Sequence, residues 1–362
     1  MPKKIIFFTK YTEKGPSSRY RSFQYKSSLE SHFNLEYYPL FNDDYIQNLY
    51  TNKKTNYYQI VTAYLLRIFQ VLKCLGTNKL VVIEYELLPY FPPVLEYLLY
   101  KSKVKIIVDY DDAIFHNYDL HPKVLVRYLY AKKIPSLVKY AKLVITGSPY
   151  LSDYLVKFNK KIVEIPTSIH YANYKSKSQL VTSNEVFSIG WIGSKSTSIN
   201  VINIIDVIKE IYKLNPKITF KLMGFDNNLK SELDLSNVEF YDWSESGELT
   251  FLKEIDLGIM PLEDNPFNRG KCGFKLIQYM AMGKPTLSTP LKANLKINRD
   301  NTNLFATSTS EWINCIIEFS SNFNYYKKVG LKNQEIVEKY YSVEVNSINY
   351  INIFNQLFNV RN

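Results

Sequence analysis

Short apolar runs of β character alternate with helical patterns along most of this chain, and that alternation constrains the fold more than any other feature. In the first half the runs fall at Lys4–Phe8, Leu35–Pro39, Leu80–Glu84, Val104–Asp109, Leu143–Thr146 and Ile162–Ile165. They recur at Val186–Ile192, Thr219–Met223, Val238–Tyr241, Leu257–Leu262, from Thr286 onward, and weakly at Leu304–Ala306. Apolar strands separated by helices imply parallel sheets covered on both faces. In such α/β sheets ligands gather where the strands end.

The alternation is interrupted once, between Ser168 and Asn184, where SIHYANYKSKSQLVTSN is polar and without period. A chain of 362 residues, 46% hydrophobic, can supply two cores. The expected division is a first domain over 1–168, a linker over 169–184 and a second domain from 185.

Charge is unevenly spread. Residues 1–168 hold 24 Lys and Arg against 14 Asp and Glu, so nearly all of the formal +11 lies there. Such asymmetry points to an anionic partner: a membrane surface, a phosphorylated acceptor or nucleic acid. Nucleic acid has the charge alone in its favour, with no recognition motif. The patterns Tyr57–Leu75, Phe91–Lys103 and His121–Tyr140 interleave Lys and Arg with Tyr, Leu and Phe, as suits a peripheral protein on an anionic bilayer. Tyr57–Leu75 is broken by Arg67 and Lys73 and reads as a packed helix, not a membrane span. The N-terminus enters a strand directly, without a cleavage pattern, which sets a cytoplasmic expectation. Cys74, Cys272 and Cys315, and the four histidines, show no metal-ligand spacing, so no metal is expected.

The most informative stretch is DLGIMPLEDNPFNRGKCGFKLIQYMAMGKPTLSTP, from Asp256 to Pro290. It reads as strand, polar loop, helix from about Lys271 to Gly283, and strand. Leu276, Ile277 and Met280 fall on one helix face, Lys271, Lys275 and Gln278 on the other, with Arg269 just ahead. A helix start at a strand end favours anions, and three cations there make a diphosphate clamp. A solvated amphipathic helix shows the same pattern.

Other candidate groups also sit at strand ends. After the first strand, Gly15-Pro16-Ser17-Ser18-Arg19-Tyr20-Arg21 reads as a turn and a Ser-capped helix with Arg19 and Arg21 in its first turn. Cations there oppose the helix dipole and call for an anionic partner, unless they are surface arginines. After the fourth strand, Asp109-Tyr110-Asp111-Asp112 and His116 offer a general base, or alternatively an Asp-rich helix cap. Glu84 and Glu86, a second pair at a strand end, are weaker acceptor-site candidates, unless they are surface carboxylates. In the second half, Gly193-Ser194-Lys195 feeds a helix from about Ile199, another anion site. Trp243 follows a strand, where it either flanks a base or is core.

Four of these stretches resemble one family. RGKCGFKLIQYMAMGKP is similar to the donor segment of family-4 glycosyltransferases in the subgroup reading approximately RGKxxxKxxxYMAxGxP, and GPSSRYR, VDYDDAIF and GWIGS resemble further elements of it. The resemblance implies an α/β protein of the GT-B fold: two Rossmann-like doubly wound domains facing a cleft, with the last helix, within 341–362, crossing back onto the first domain and the second domain ending near 340. It implies a nucleotide diphosphate sugar donor near Arg269, Lys271 and Lys275, approached by Gly193, Ser194 and Lys195. Trp243 would flank the base, and Gln278 would stand where a Glu normally binds the ribose. The chain departs from the family's Glu-x7-Glu pattern at Gly270 and Gln278.

The expectation is a retaining, metal-independent hexosyltransferase without a cofactor, its donor being a co-substrate. The cations stabilise the leaving diphosphate, and Asp111, Asp112 or His116 takes the acceptor proton. Gly15, Ser17, Ser18, Arg19, Arg21 and Glu86 line the acceptor side. The acceptor is expected to be a lipid-linked saccharide of a surface polysaccharide such as lipopolysaccharide or capsule, met at the inner face of the cell membrane. A sugar-nucleotide 2-epimerase of GT-B type and a non-catalytic nucleotide-sugar binder are the alternatives.

Overall fold

The computed structural model describes residues 3–50, 56–76, 79–175 and 186–359. The chain divides into two compact units: Met1–Thr167 with Gly270–Cys272 and Val343–Asn362, and Ser168–Arg269 with Gly273–Ser342. Each is built around six parallel strands, as the alternation implies.

The first sheet runs β2-β1-β3-β4-β5-β6, with β1 Lys4–Thr9, β2 Asn34–Pro39, β3 Leu80–Glu84, β4 Lys105–Tyr110, β5 Leu143–Thr146 and β6 Ile162–Glu164. Its register, with Ile5 beside Leu80, Val82 beside Ile107 and Ile107 beside Leu143, puts successive residues on opposite faces. Ile6, Phe8, Val81, Ile83, Ile106 and Val108 fill one core. Ile5, Phe7, Leu80, Val82, Ile107 and Ile145 fill the other, closed by Val343, Tyr350 and Phe354 of the last helix, Val343–Asn359. That helix therefore completes the first unit, fastened also by Lys3 Nζ donating to Asn355 Oδ1 and Lys105 Nζ to the Leu357 carbonyl.

The second sheet runs β12-β11-β10-β7-β8-β9, with β7 Phe187–Ile192, β8 Ile218–Met223, β9 Val238–Tyr241, β10 Leu257–Met260, β11 Thr286–Ser288 and β12 Leu304–Phe305. The strand order reverses between β1 and β3 in the first unit and between β7 and β10 in the second. Those reversals open a crevice beyond the carboxyl ends of the two strands. Of the expected linker, Ile169 bridges Ser342 and Tyr171–Lys175 is helical, so this part is packed structure of the second unit; 176–184 lie outside the described residues. Among the described residues no helix is long and apolar enough to cross a membrane.

One buried ion pair fastens the first unit. Arg21 and Asp109 are 2% and 3% exposed. Arg21 Nη2 donates to Asp109 Oδ1 at 2.6 Å and Nε to Oδ2 at 3.2 Å, while Nη1 donates to the Ile165 carbonyl at 2.8 Å. The Tyr350 hydroxyl reaches Asp109 Oδ2 from the last helix at 3.3 Å. Arg21 thus lies in the last turn of the Pro16–Arg21 helix, not its first, and its anionic partner is Asp109, not a ligand. Removing one member strands the other's charge in the core, so Arg21→Ala is expected to destabilise the protein by about 3–5 kcal/mol. Urea unfolding of the variant checks this, and a loss within error of zero contradicts it.

Candidate functional site

The first half-site forms where β1 and β3 end. Gly15, not a serine, caps the Pro16–Arg21 helix, and Pro16 takes its first position. This puts Ser17 and Ser18 inside the first turn, where Ser18 Oγ accepts from the Tyr11 N–H at 3.0 Å and donates to Glu84 Oε2 at 2.6 Å. The Lys10 N–H donates to the same carboxylate oxygen at 3.1 Å. Glu84 is buried, and desolvation pushes its carboxyl up to about 8 although the Ser18 bond works against it.

Tyr85 follows Glu84 with φ +63°, a left-handed conformation rare outside glycine. Its hydroxyl donates to Asp111 Oδ1 and lies 3.2 Å from Ser17 Oγ. Non-glycine strain of this kind persists where surrounding structure enforces it and concentrates at working sites. Asp111 is pushed up to about 6, chiefly by burial, with Arg21 and the Tyr85 hydroxyl lowering it and the neighbouring Asp112 and Asp109 raising it. Lys10 stands over the Tyr11 and Tyr85 rings, 5.2 and 5.8 Å from their centroids. Burial alone would lower its pKa; Tyr11, Glu86 and Glu84 together raise it.

Several expected members are occupied elsewhere. His116 is buried with Nδ1 2.8 Å from Asp119 Oδ1 and Nε2 2.9 Å from the Tyr150 hydroxyl, so neither ring nitrogen is placed to take a substrate proton. Glu86 accepts from Tyr118 and pairs with buried Lys133, an internal ion pair. Asp112 Oδ1 accepts from the Ala113 N–H at 2.9 Å, a local turn contact. Arg19 is half-buried with its guanidinium over the Tyr20 ring. Lys10 and Tyr85 are the members that sequence reasoning missed. Tyr85 stands between two flagged glutamates, but its left-handed backbone carries no local signal.

The second half-site forms where β7 and β10 end. Gly193 follows β7, and a Cβ there would lie 2.0 Å from the buried Trp191 ring, so the loop can pass only as glycine. Ser194 closes a capping box with Thr197 at the start of the 3-10 turn Lys195–Thr197, and Ser194 and Lys195 are exposed. From the β10 side, Asn268 Nδ2 donates to the Glu263 carbonyl at 2.9 Å and reaches Asn200 Oδ1 at 3.4 Å, tying the 263–269 loop to the helix after β7. Arg269 is exposed and forks onto Asp264 at 2.6 and 3.0 Å.

The helix begins at Phe274, not Lys271, because its N-cap Gly273 has φ +68°. Lys275 therefore lies in the first turn, its ammonium 4.8 Å from the Trp191 ring centroid. The Tyr279 hydroxyl accepts from the Ile192 N–H at 2.9 Å and donates to the Ile259 carbonyl, so this helix is pinned to both strand ends. Lys271 falls in Gly270–Cys272, the three residues that belong to the first unit. There the Gly270 carbonyl accepts from Ser148, a Cβ on Gly270 would lie 2.4 Å from that of Ala113, and the Cys272 thiol donates to the Asp111 carbonyl. No side chain, glutamate included, fits at position 270.

Gln278 is 3% exposed, so it does not share a solvated face with Lys275. Its Nε2 donates to Glu248 Oε1 at 2.5 Å and reaches the Tyr174 hydroxyl at 3.3 Å. Trp243, 43% exposed just after β9, donates from Nε1 to Glu248 Oε2 at 3.3 Å. Trp243 is thus not core. Glu248, missed in the sequence, brings a carboxylate beside the amide at position 278; its pairing through the fold left no local pattern to find.

Residues 186–322 match the model of the glycosyl transferases group 1 family. That match spans all six strands of the second sheet, β7 to β12. Over 151 residues, 39% of this chain, the sequence is 24% identical to Bacillus subtilis (strain 168) TuaH, named provisionally as a teichuronic acid biosynthesis glycosyltransferase. The matched part spans 37% of that relative's length. Among solved structures, a glycosyltransferase from Rickettsia africae superposes with a TM-score of 0.72 at 12% identity over 99% of this chain and 100% of the other. HepE from Anabaena, solved with UDP and glucose, gives 0.67 at 13% over 98% and 100%. Sucrose-phosphate synthase from Thermosynechococcus elongatus gives 0.70 at 12% over 98% and 99%. The chain accordingly has the GT-B fold, and the match bears out the family resemblance of GWIGS and RGKCGFKLIQYMAMGKP, the two motifs that lie within 186–322.

The geometry around Asp111 sets its titration. Tyr85→Phe removes a hydrogen bond that favours the charged carboxylate, so the Asp111 pKa should rise from about 6. Carboxyl-carbon NMR titration of wild type and variant measures it; an unchanged or lowered value would show that the hydroxyl does not hold this carboxylate.

Proposed function

We propose that this protein transfers a hexosyl group from a nucleotide diphosphate sugar to a hydroxyl of a saccharide acceptor, in the synthesis of a cell-surface polysaccharide. The observation that carries the reading is the second unit's switch point: a glycine loop after β7 and a helix start bearing Lys275 after β10, with Trp243 and Glu248 nearby. A phosphate recruits unpaired N–H groups and cations there, an exposed indole takes a base, and a carboxylate takes a ribose diol. HepE, which shares the fold, is solved with UDP-glucose, and we take a donor of that class for this chain.

The bond from the sugar's anomeric carbon to the diphosphate breaks and one to the acceptor oxygen forms. Lys271, Lys275 and Arg269 offset charge on the departing diphosphate, Arg269 exchanging Asp264 for phosphate, so the reading requires neither metal nor cofactor. Asp111, ionised above about pH 6 and oriented by Tyr85, receives or directs the acceptor proton. Ser17, Lys10 and Arg19 form the polar edge of the acceptor side. We take the transfer to be retaining, as in the family the motifs resemble, and the acceptor to be lipid-linked, met by the basic first half at the inner face of the cell membrane.

Lys271→Ala and Lys275→Ala should each weaken UDP binding by about 1.5–3 kcal/mol with unchanged unfolding midpoints, and Asp111→Asn should leave UDP affinity intact while lowering kcat strongly. Calorimetry and turnover assays measure both; unaltered affinity in the lysine variants moves the donor site elsewhere, and a fully active Asp111→Asn removes the base. Product analysis separates the classes, since a transferase releases nucleoside diphosphate as it glycosylates, an epimerase alters only the sugar, and a binder does neither.

Glu248→Ala should weaken UDP more than its 2′,3′-dideoxy analogue. Equal losses for the two ligands would show that the carboxylate does not read the ribose.

A further inference from the structure

The Tyr57–Leu72 helix is packed with its polarity reversed. Its one charged residue, Arg67, is 1% exposed and donates from Nη2 to the Thr9 and Tyr38 carbonyls, both at 2.9 Å, with its guanidinium 4.8 Å from the Phe8 ring centroid. Its exposed side chains are all apolar or aromatic: Tyr57, Tyr58, Val61, Leu65, Leu66, Phe69 and Leu72. A water-facing helix ordinarily shows the opposite arrangement. The surface continues over the adjoining segment, where Tyr64 donates to the Pro89 carbonyl and Tyr90, Phe91, Val94, Tyr97 and Leu98 are exposed.

Lysines border this surface. Lys73 follows the helix with Nζ 4.2 Å from the Phe69 ring centroid, and Lys101 stands over the Tyr97 ring. Between residues 56 and 76, and again between 87 and 103, the only carboxylate is Glu96, which is buried and accepts from the Leu87 N–H. The surface therefore offers hydrocarbon, tyrosine hydroxyls and ammonium groups, and no exposed anion.

We infer that this helix lies flat in the headgroup and acyl boundary of an anionic bilayer, with Leu65, Leu66, Phe69 and Leu72 among the acyl chains and Lys73 and Lys101 at the phosphates. The inference rests on the membrane partner proposed above and assigns the element that makes the contact. An apolar face more than about 100° wide with aromatic residues and a cationic rim suits such an interface. A second copy of the chain suits it poorly, because a two-fold contact sets lysines against lysines with no carboxylate to pair them. Charge alone would predict attachment that salt abolishes; the apolar face predicts a fraction that persists in salt.

The test is co-sedimentation of the full chain with phosphatidylglycerol–phosphatidylcholine vesicles at low and high salt, beside Leu65→Glu/Phe69→Glu and Lys73→Glu/Lys101→Glu. Wild type should bind at both salts, the first variant should lose most binding at both, and the second should lose mainly the salt-sensitive part. Phe69→Trp, which conserves the packing, should add fluorescence that brominated acyl chains quench. If wild type binds while Leu65→Glu/Phe69→Glu binds equally and Phe69→Trp is unquenched, the helix assignment is overturned and the membrane reading stands on another surface. If wild type binds no vesicle, both fall. Light scattering that shows a dimer broken by Leu65→Glu/Phe69→Glu would assign the face to self-association and overturn the inference.

Discussion

The first unit depends on where one buried charge is put. Arg21 comes from the first helix, Asp109 from the middle of the sheet, the Ile165 carbonyl from the end of β6 and the Tyr350 hydroxyl from the last helix. Such a pair contributes little net stability over an apolar replacement, but it admits few alternative arrangements once the charges are buried. It fixes the end of β4 against the turn after β1. Asp109 is consumed by this, which leaves Asp111, two residues on and past the strand, as the carboxylate set against Tyr85. The division of labour follows from the strand's period of two and from β4 ending at Tyr110.

The second unit solves a different problem: a loop, a helix start and a carboxylate must all be held close to backbone. Trp191 lies beneath Gly193, Tyr279 ties the helix to the ends of β7 and β10, and Gly273 turns the chain into that helix in a left-handed conformation. The two departures from the family pattern have separate physical reasons. At 270 the approach to Ala113 excludes any side chain. At 278 a carboxylate would face Glu248 at hydrogen-bond distance inside a buried network, and like charges there disfavour one another. An amide removes the repulsion and donates instead.

The strands were legible because a buried parallel strand is an apolar run with little else to confuse it, and most bounds agree to within a residue or two. Candidate residues at strand ends were legible for the same reason, since topology alone sends them to the crevice. Their fates were not. Arg21, Glu86 and His116 carry no local sign that Asp109, Lys133 and Tyr150 will claim them. Those partners are brought in by tertiary packing, some from far along the chain, whereas Asp119, which also holds His116, is a helical neighbour three residues on. Glu248 beside Gln278 shows the converse, a pairing 30 residues apart that no motif announces.

Periodicity has one further blind spot, and the Tyr57–Leu72 helix shows it. A helical pattern tells which residues share a face but not which face is turned inward. Here Arg67, interleaved with Tyr, Leu and Phe, reads as a cation for an anionic surface, yet its Nη2 donates to the Thr9 and Tyr38 carbonyls and its guanidinium stands over the Phe8 ring inside the unit. Burial still lowers its pKa to about 9, against the charges of Glu84 and Glu96 that raise it. The cost of placing a cation there is offset only in part by the Thr9 and Tyr38 carbonyls, near the ends of β1 and β2, while the leucines and Phe69, which would have filled that space at no electrostatic cost, face outward. A globular core gains nothing from that exchange. It becomes favourable when the outward face has an apolar phase to enter, so under the bilayer contact proposed for this helix the burial of Arg67 and the exposure of its apolar face are one arrangement.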